Sequence, residues 1–238
     1  MNCKKCGRPM GKKGYCANCE PKKAQQEPVK KNNKLWLIIG ACALVLVLII
    51  GACFLLCGDD AQEPSGEVTA SGKRHVEIEI REYGTIKLEL DADAAPITVD
   101  NFVSLAQSGF YDGVPFHRII EGFMMQGGDP LGNGYGDSGT SIKGEFINNG
   151  VPNTLSHTRG AISMARSAKY DSASCQFFIV HEDASEHLDG DYAVFGYVTE
   201  GMDIVDRICT EATPMDNNGL IMVEQRPHIQ TIKVEPIQ

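Results

Sequence analysis

The longest regular pattern begins at Val76, where Val76, Ile78 and Ile80 alternate with charged neighbours. That is the period of a strand with one buried face. Tyr83-Gly84 supplies a turn, and Ile86, Leu88 and Leu90 repeat the alternation, which predicts a hairpin. From Ala94 to Ser108 the spacing of Val99, Phe102, Val103 and Ala106 becomes helical, with Pro96 near the start and Gly109 just past the end. Short apolar runs follow at 116–120, 123–126, 161–165, 176–180 and 193–198. A second helix is predicted over Met202 to Cys209 and a last strand over His228 to Glu235. Many short strands with two helices predict a mainly β domain, an antiparallel closed barrel capped at its ends.

Ahead of this domain the pattern is different. Leu35 to Cys57 is a run of 23 residues without a charged or strongly polar side chain. As a helix it would span roughly 34 Å, enough for a hydrocarbon core of about 30 Å. Glu20 to Asn33 and Gly58 to Gly72 carry no apolar period and read as linkers. The expected organisation is therefore a small module over 1–20, a basic linker over 21–34, a transmembrane helix over 35–57, a polar linker over 58–72 and a β domain over 73–238.

Charge orients the span. Residues 1–34 hold 10 of the chain's 22 Lys+Arg but only 2 of its 31 acids, so residues beyond the apolar run have 12 basic and 29 acidic groups. Lys22, Lys23, Lys30, Lys31 and Lys34 precede the span, and Asp59, Asp60 and Glu63 follow it. Basic flanks stay in the cytoplasm, which puts the N-terminus inside and the β domain outside the cell membrane. Ile50-Gly51-Ala52-Cys53 also resembles a lipobox, so a lipoprotein anchored through Cys53 is the alternative. Either way the β domain faces outward, and its acidity excludes nucleic acid as a partner.

Cys3-x-x-Cys6 and Cys16-x-x-Cys19 form two paired knuckles. Four thiolates can enclose Zn²⁺ tetrahedrally, leaving no open position for substrate, so the metal expected here is structural. The segment resembles the short zinc ribbons of bacterial membrane proteins; its partner is not legible. Only Cys175 and Cys209 remain for the β domain, too few for a disulfide framework.

The glycine-rich stretch from Gly127 to Gly139 is not a phosphate loop, because no helix pattern and no Gly-Lys-Ser/Thr follow it. It reads as an irregular loop, fixed by Asp129. Phe123, Met124 and Phe178 on their own fit a barrel core. Arg118 does not, since an unpaired buried charge is costly.

The run Phe116-His117-Arg118-Ile119-Ile120-x-Gly122-Phe123-Met124-x-Gln126-Gly127-Gly128-Asp129 resembles the signature of the cyclophilin family of peptidyl-prolyl cis-trans isomerases. Ala161 to Ala165, Ser174-x-Gln176-Phe177-Phe178-Ile179, Leu188-Asp189-Gly190 and Val194-Phe195-Gly196-x-Val198 agree in order, so the resemblance covers about 73–238. It implies an eight-stranded barrel closed by two helices, with proline-containing polypeptides as substrates and no cofactor for catalysis. Arg118 would be the catalytic donor. Phe123, Met124 and Phe178 would wall the proline pocket, and Leu188 would close it. Gln126 would hold the carbonyl side, Gln176 and Tyr192 would be further polar positions, and Ala165 would lie beside the substrate backbone. Three positions depart from better-known members: Arg166 stands where Asn is frequent, His187 where Trp is frequent and Tyr192 where His is frequent. The second of these weighs against strong cyclosporin binding. The expected function is folding of exported proteins at the outer face of the membrane; the alternative is a non-catalytic module that grips proline-containing segments.

Overall fold

The computed structural model describes residues 71–235. The four N-terminal cysteines, the apolar run and most of the polar linker lie outside the described residues. No helix among the described residues is long and apolar enough to cross a membrane.

Eight strands form one antiparallel sheet: β1 (Lys73–Ile80), β2 (Gly84–Asp91), β3 (Arg118–Ile120), β4 (Met124–Gly127), β5 (Ala161–Met164), β6 (Phe177–Val180), β7 (Val194–Glu200) and β8 (Ile229–Val234). Their order across the sheet is β3-β4-β6-β5-β7-β2-β1-β8. The predicted hairpin is β1–β2, with Val76 opposite Leu88 and Ile78 opposite Ile86. All four are buried, as alternation requires.

The helices are α1 (Pro96–Gln107), a four-residue α2 (Ser185–Leu188) and α3 (Met202–Glu211). Two were expected; α2 is too short to show a period. Pro96 occupies the first turn of α1, whose N-cap Ala95 offers no side-chain bond. The cap comes instead from Glu145, which accepts from the backbone N–H groups of Ile97 and Thr98 and from the Thr98 hydroxyl.

The sheet curls around a core containing Phe102, Tyr111, Phe116, Phe177 and Phe195, but it does not close into a barrel. The expected closure would join β3 to β8. Only the stretch before β3 reaches β8, through Gly113 N–H to Ile229 O, Ile229 N–H to Val114 O and Phe116 N–H to Pro227 O. The free edge of β3 itself is occupied by the loop after α3. Ile119 N–H donates to Gly219 O, and Ile221 N–H donates to His117 O. A three-residue strand whose outer edge is already taken cannot also pair with β8.

The middle strands are apolar on both faces. Ile119, Met125, Phe177 and Ile179 belong to the main core. Met124, Phe178 and Val180 belong to a second, smaller cluster with Ala161, Ala184 and Val194. This second cluster forms the floor of the candidate site.

Candidate active site

Strand register assembles the site. Arg118 pairs with Gln126, Gln126 with Phe178, and Phe178 with Ser163, so one row crosses β3, β4, β6 and β5. Met124, two residues from Gln126, shares its face. Partly buried Phe123, Ala165, Leu188 and Tyr192 pack against the same cluster.

The result is a cavity of about 180 Å³ lined by Arg118, Phe123, Met124, Gln126, Ala165, Arg166, Phe178, Leu188 and Tyr192. Eight of the nine site residues named for the β domain line it. The ninth, Gln176, lies beside it and lines an adjoining cavity of about 430 Å³, which also touches Gln126, Ala165 and Arg166. His187 is exposed and lines neither.

Arg118 is half-buried and held by neutral groups. Its Nε donates to the Asn218 carbonyl at 2.6 Å, and its Nη1 donates to Gln126 Oε1 at 3.3 Å and lies 3.7 Å from Met124 Sδ. The guanidinium carbon sits 6.0 Å from the centre of the Phe123 ring. No carboxylate pairs with it among the described residues. Burial draws its pKa down, with Tyr192 and Asp216 opposing. A guanidinium still stays cationic at neutral pH.

A relay of amides fixes the donor. Gln176 Nε2 donates to the carbonyls of Gly134 and Gly136, its Oε1 accepts from Gln126 Nε2 at 3.0 Å, and Gln126 Oε1 faces Arg118. Each amide has its donor end and acceptor end both used, so neither can flip without breaking the chain. The glycine-rich loop therefore serves the site by supplying two carbonyls. Asp129 organises that loop by accepting from the N–H groups of Leu131, Asn133 and Gly134. Its own burial raises its pKa, but these bonds outweigh that and hold it below the ordinary value.

A second network stands behind the pocket wall, and no motif or period in the sequence points to it. His157 is fully buried and stacks on Phe178 at 5.9 Å with an interplanar angle of 13°. Its Nδ1 is 2.7 Å from Asp189 Oδ1 and its Nε2 is 3.0 Å from Ser163 Oγ. Burial lowers its pKa against the pull of Asp189. Nδ1–H then donates to the carboxylate, and Nε2 accepts from the Ser163 hydroxyl. Its spacing to other residues resembles no ligand set, and its partners come from three separate segments.

Cysteine chemistry is absent from the site. Cys175 and Cys209 are free and buried, and burial pushes their thiols to about 11 and about 12. Both are inert packing residues. Among the described residues no group of His, Cys, Asp and Glu is arranged to hold a metal ion.

This arrangement is a fixed cation above an apolar niche, beside a larger polar cavity. The family model for cyclophilin type peptidyl-prolyl cis-trans isomerases matches residues 75–234. The chain belongs to the cyclophilin family. Among its relatives, peptidyl-prolyl cis-trans isomerase B of Bacillus subtilis is 47% identical over 141 residues, covering 59% of this chain and 89% of that one. The peptidyl-prolyl cis-trans isomerase-like 2 protein of Rhizopus delemar is 42% identical over 160 residues, but the match spans only 28% of its length. A Cryptosporidium parvum cyclophilin type isomerase, crystallised in the presence of the dipeptide Ala-Pro, is similar at a TM-score of 0.60 and 30% identity. That likeness covers 68% of this chain and 99% of that one. The activity expected from the sequence, peptidyl-prolyl cis-trans isomerisation, is that of the family and of these relatives. Cyclophilin catalysis needs no cofactor.

Proposed function

We propose that this cyclophilin binds X-Pro segments of polypeptides in the Arg118 cavity and accelerates their isomerisation. The single observation that carries the reading is the unneutralised Arg118 guanidinium at the edge of an apolar pocket. An X-Pro bond resists rotation because its nitrogen lone pair is delocalised into the carbonyl, a barrier of about 18–20 kcal/mol. A donor aimed at that nitrogen stabilises the pyramidal form in which the lone pair has left conjugation. Arg118 has N–H groups to spare once Asn218 and Gln126 are served. Phe123, Met124, Phe178 and Leu188 would hold the pyrrolidine ring, and Gln126 would orient the carbonyl. Ala165 would lie beside the bound backbone, with Gln176 and Tyr192 as polar neighbours. The dipeptide in the Cryptosporidium relative's crystallisation supports this substrate class.

The proposal extends to the whole chain. Cys3, Cys6, Cys16 and Cys19 hold a structural zinc in a cytosolic module, residues 35–57 anchor the chain in the membrane, and the isomerase domain works on exported proteins outside. What supports this is the charge asymmetry across the apolar run and the spacing of the cysteines.

The test is Arg118→Ala in the full-length chain, assayed on an X-Pro peptide without a coupling protease. Removing one preorganised donor is expected to lower kcat/KM by roughly 10²–10³-fold. Wild-type protein that binds such peptides with no rate above background would instead make the domain a non-catalytic binding module.

A further inference from the structure

Arg166 is the departure from the family pattern that the site absorbs most conspicuously. It follows directly on Ala165, and both residues line the proline cavity and the adjoining larger one. Its side chain is not free to wander. The guanidinium carbon lies 4.6 Å from the ring centre of Tyr192, 5.1 Å from Phe146 and 5.2 Å from Tyr170. Nε donates to Asp191 O at 2.8 Å and Nη1 to Ser167 O at 3.0 Å. Tyr192 also meets Phe178 edge-on at 6.1 Å, so the ring that steadies Arg166 belongs to the pocket wall. Three aromatic faces and two carbonyls fix the charge without cancelling it.

No carboxylate pairs with Arg166 among the described residues. The acids on the neighbouring segments are turned to other work. Asp191 Oδ1 accepts from Asn148, and Asp171 Oδ1 accepts from Gly144 N–H and Asn149. Asp137 is the single acidic residue lining either cavity, and its carboxylate caps Gly139 N–H. Arg118 and Arg166 thus make a positive cleft within a domain that is otherwise strongly acidic. Such a local field selects ligands by charge.

We propose that Arg166 is a specificity-determining residue that favours proline segments carrying an acidic side chain next to the proline, on the side that runs toward the larger cavity. The proposal rests on the X-Pro reading of the pocket, which it refines. With the ring seated among Phe123, Met124, Phe178 and Leu188, a flanking residue crossing Ala165 meets the unused N–H groups of Arg166. An acid there gains a charge-assisted bond that its amide lacks.

The experiment compares matched peptides with Glu, Gln or Lys immediately before or immediately after the proline, using the full-length protein. Glu should exceed Gln in kcat/KM by about threefold to tenfold at one of the two positions, with Lys below Gln. The ratio should shrink as salt is raised toward 1 M, where the screening length falls to about 3 Å. Arg166→Gln should bring the Glu/Gln ratio to about one, and Arg166→Lys should keep part of the preference. A ratio of one at both positions in the wild type, or an unchanged ratio in Arg166→Gln, overturns the proposal. Should no peptide be turned over, the isomerase reading fails separately. Dissociation constants for the same peptides, measured by calorimetry, then decide the charge selection by the same ratios.

Discussion

At the scale of single residues, the cleft depends on polar groups buried in states that neutral pH allows and acid does not. His117, one residue before the proposed donor, is 2% exposed, and its Nδ1 has no hydrogen-bond partner. Burial lowers its pKa to about 4; Asp129 opposes this, while Arg226 and Arg118 add to it. The unfolded chain would protonate it near 6.5. Between those values the unfolded state binds more protons, so stability rises with pH. The contribution is complete above about 6.5 and is lost as pH falls toward 4, on the order of 3 kcal/mol over the whole window. His157, also lowered by burial, acts in the same direction. Urea midpoints measured from pH 7 to pH 4.5 should therefore fall steadily. His117→Gln, which cannot titrate, should have a shallower slope over that range; an unchanged slope would place the acid sensitivity elsewhere.

At the scale of elements, the loop from Asp216 to Ile221 does two things. It takes the free edge of β3, which leaves the sheet open, and it delivers the Asn218 carbonyl to Arg118 Nε. Gly219 makes this close docking possible. A Cβ there would lie 2.4 Å from Ile120 Cγ1 and 2.7 Å from Ile119 O, at a φ of +84°. Gly113 has nearly the same φ, +79°, with nothing within 4 Å, so it isolates backbone strain from the clash. Gly113→Ala should cost about 1–2 kcal/mol in chemical denaturation. Gly219→Ala should cost more and also lower kcat/KM at least about tenfold, because the loop must retreat from β3 and take its carbonyl with it. Equal losses of stability and no selective loss of activity would separate the loop from Arg118.

The same loop marks the boundary of what the sequence discloses. The β1–β2 hairpin and α1 were legible because one face of each is buried, which imposes a period, and because Pro96 and Gly109 bracket the helix. The middle strands were legible only as apolar runs, since a second cluster covers their outer face. Of the eight assigned residues that line one cavity, Arg118, Met124, Gln126 and Phe178 are brought together by strand register, while Phe123, Ala165, Leu188 and Tyr192 pack against them from outside the strands. What joins Arg118 to Asn218, or His157 to Asp189 and Ser163, is tertiary and leaves no period. Closure of the barrel was expected from strand number; the competing partner for β3 lay 100 residues downstream.

At the scale of the whole molecule, the proposed topology places thiols in very different settings, which makes it measurable. Cys175 and Cys209 are buried, with thiols near 11 and 12, so they contribute no background to maleimide labelling of the folded protein. On the proposed topology, with basic flanks inside and acidic flanks outside, residues 58–72 would lie on the outer face and the four N-terminal cysteines in the cytosol. In a chain with Cys42, Cys53 and Cys57 changed to Ser, Ser65→Cys should therefore react with a membrane-impermeant maleimide on intact cells. Cys3, Cys6, Cys16 and Cys19 should stay unlabelled until the cells are opened, and should then react fully only after a chelator removes the proposed zinc from their thiolates. Labelling of the N-terminal four on intact cells, with Ser65→Cys protected, reverses the orientation. Retention of this variant in the membrane fraction separates a span from a lipid anchor, because acylation requires the Cys53 thiol that the variant lacks.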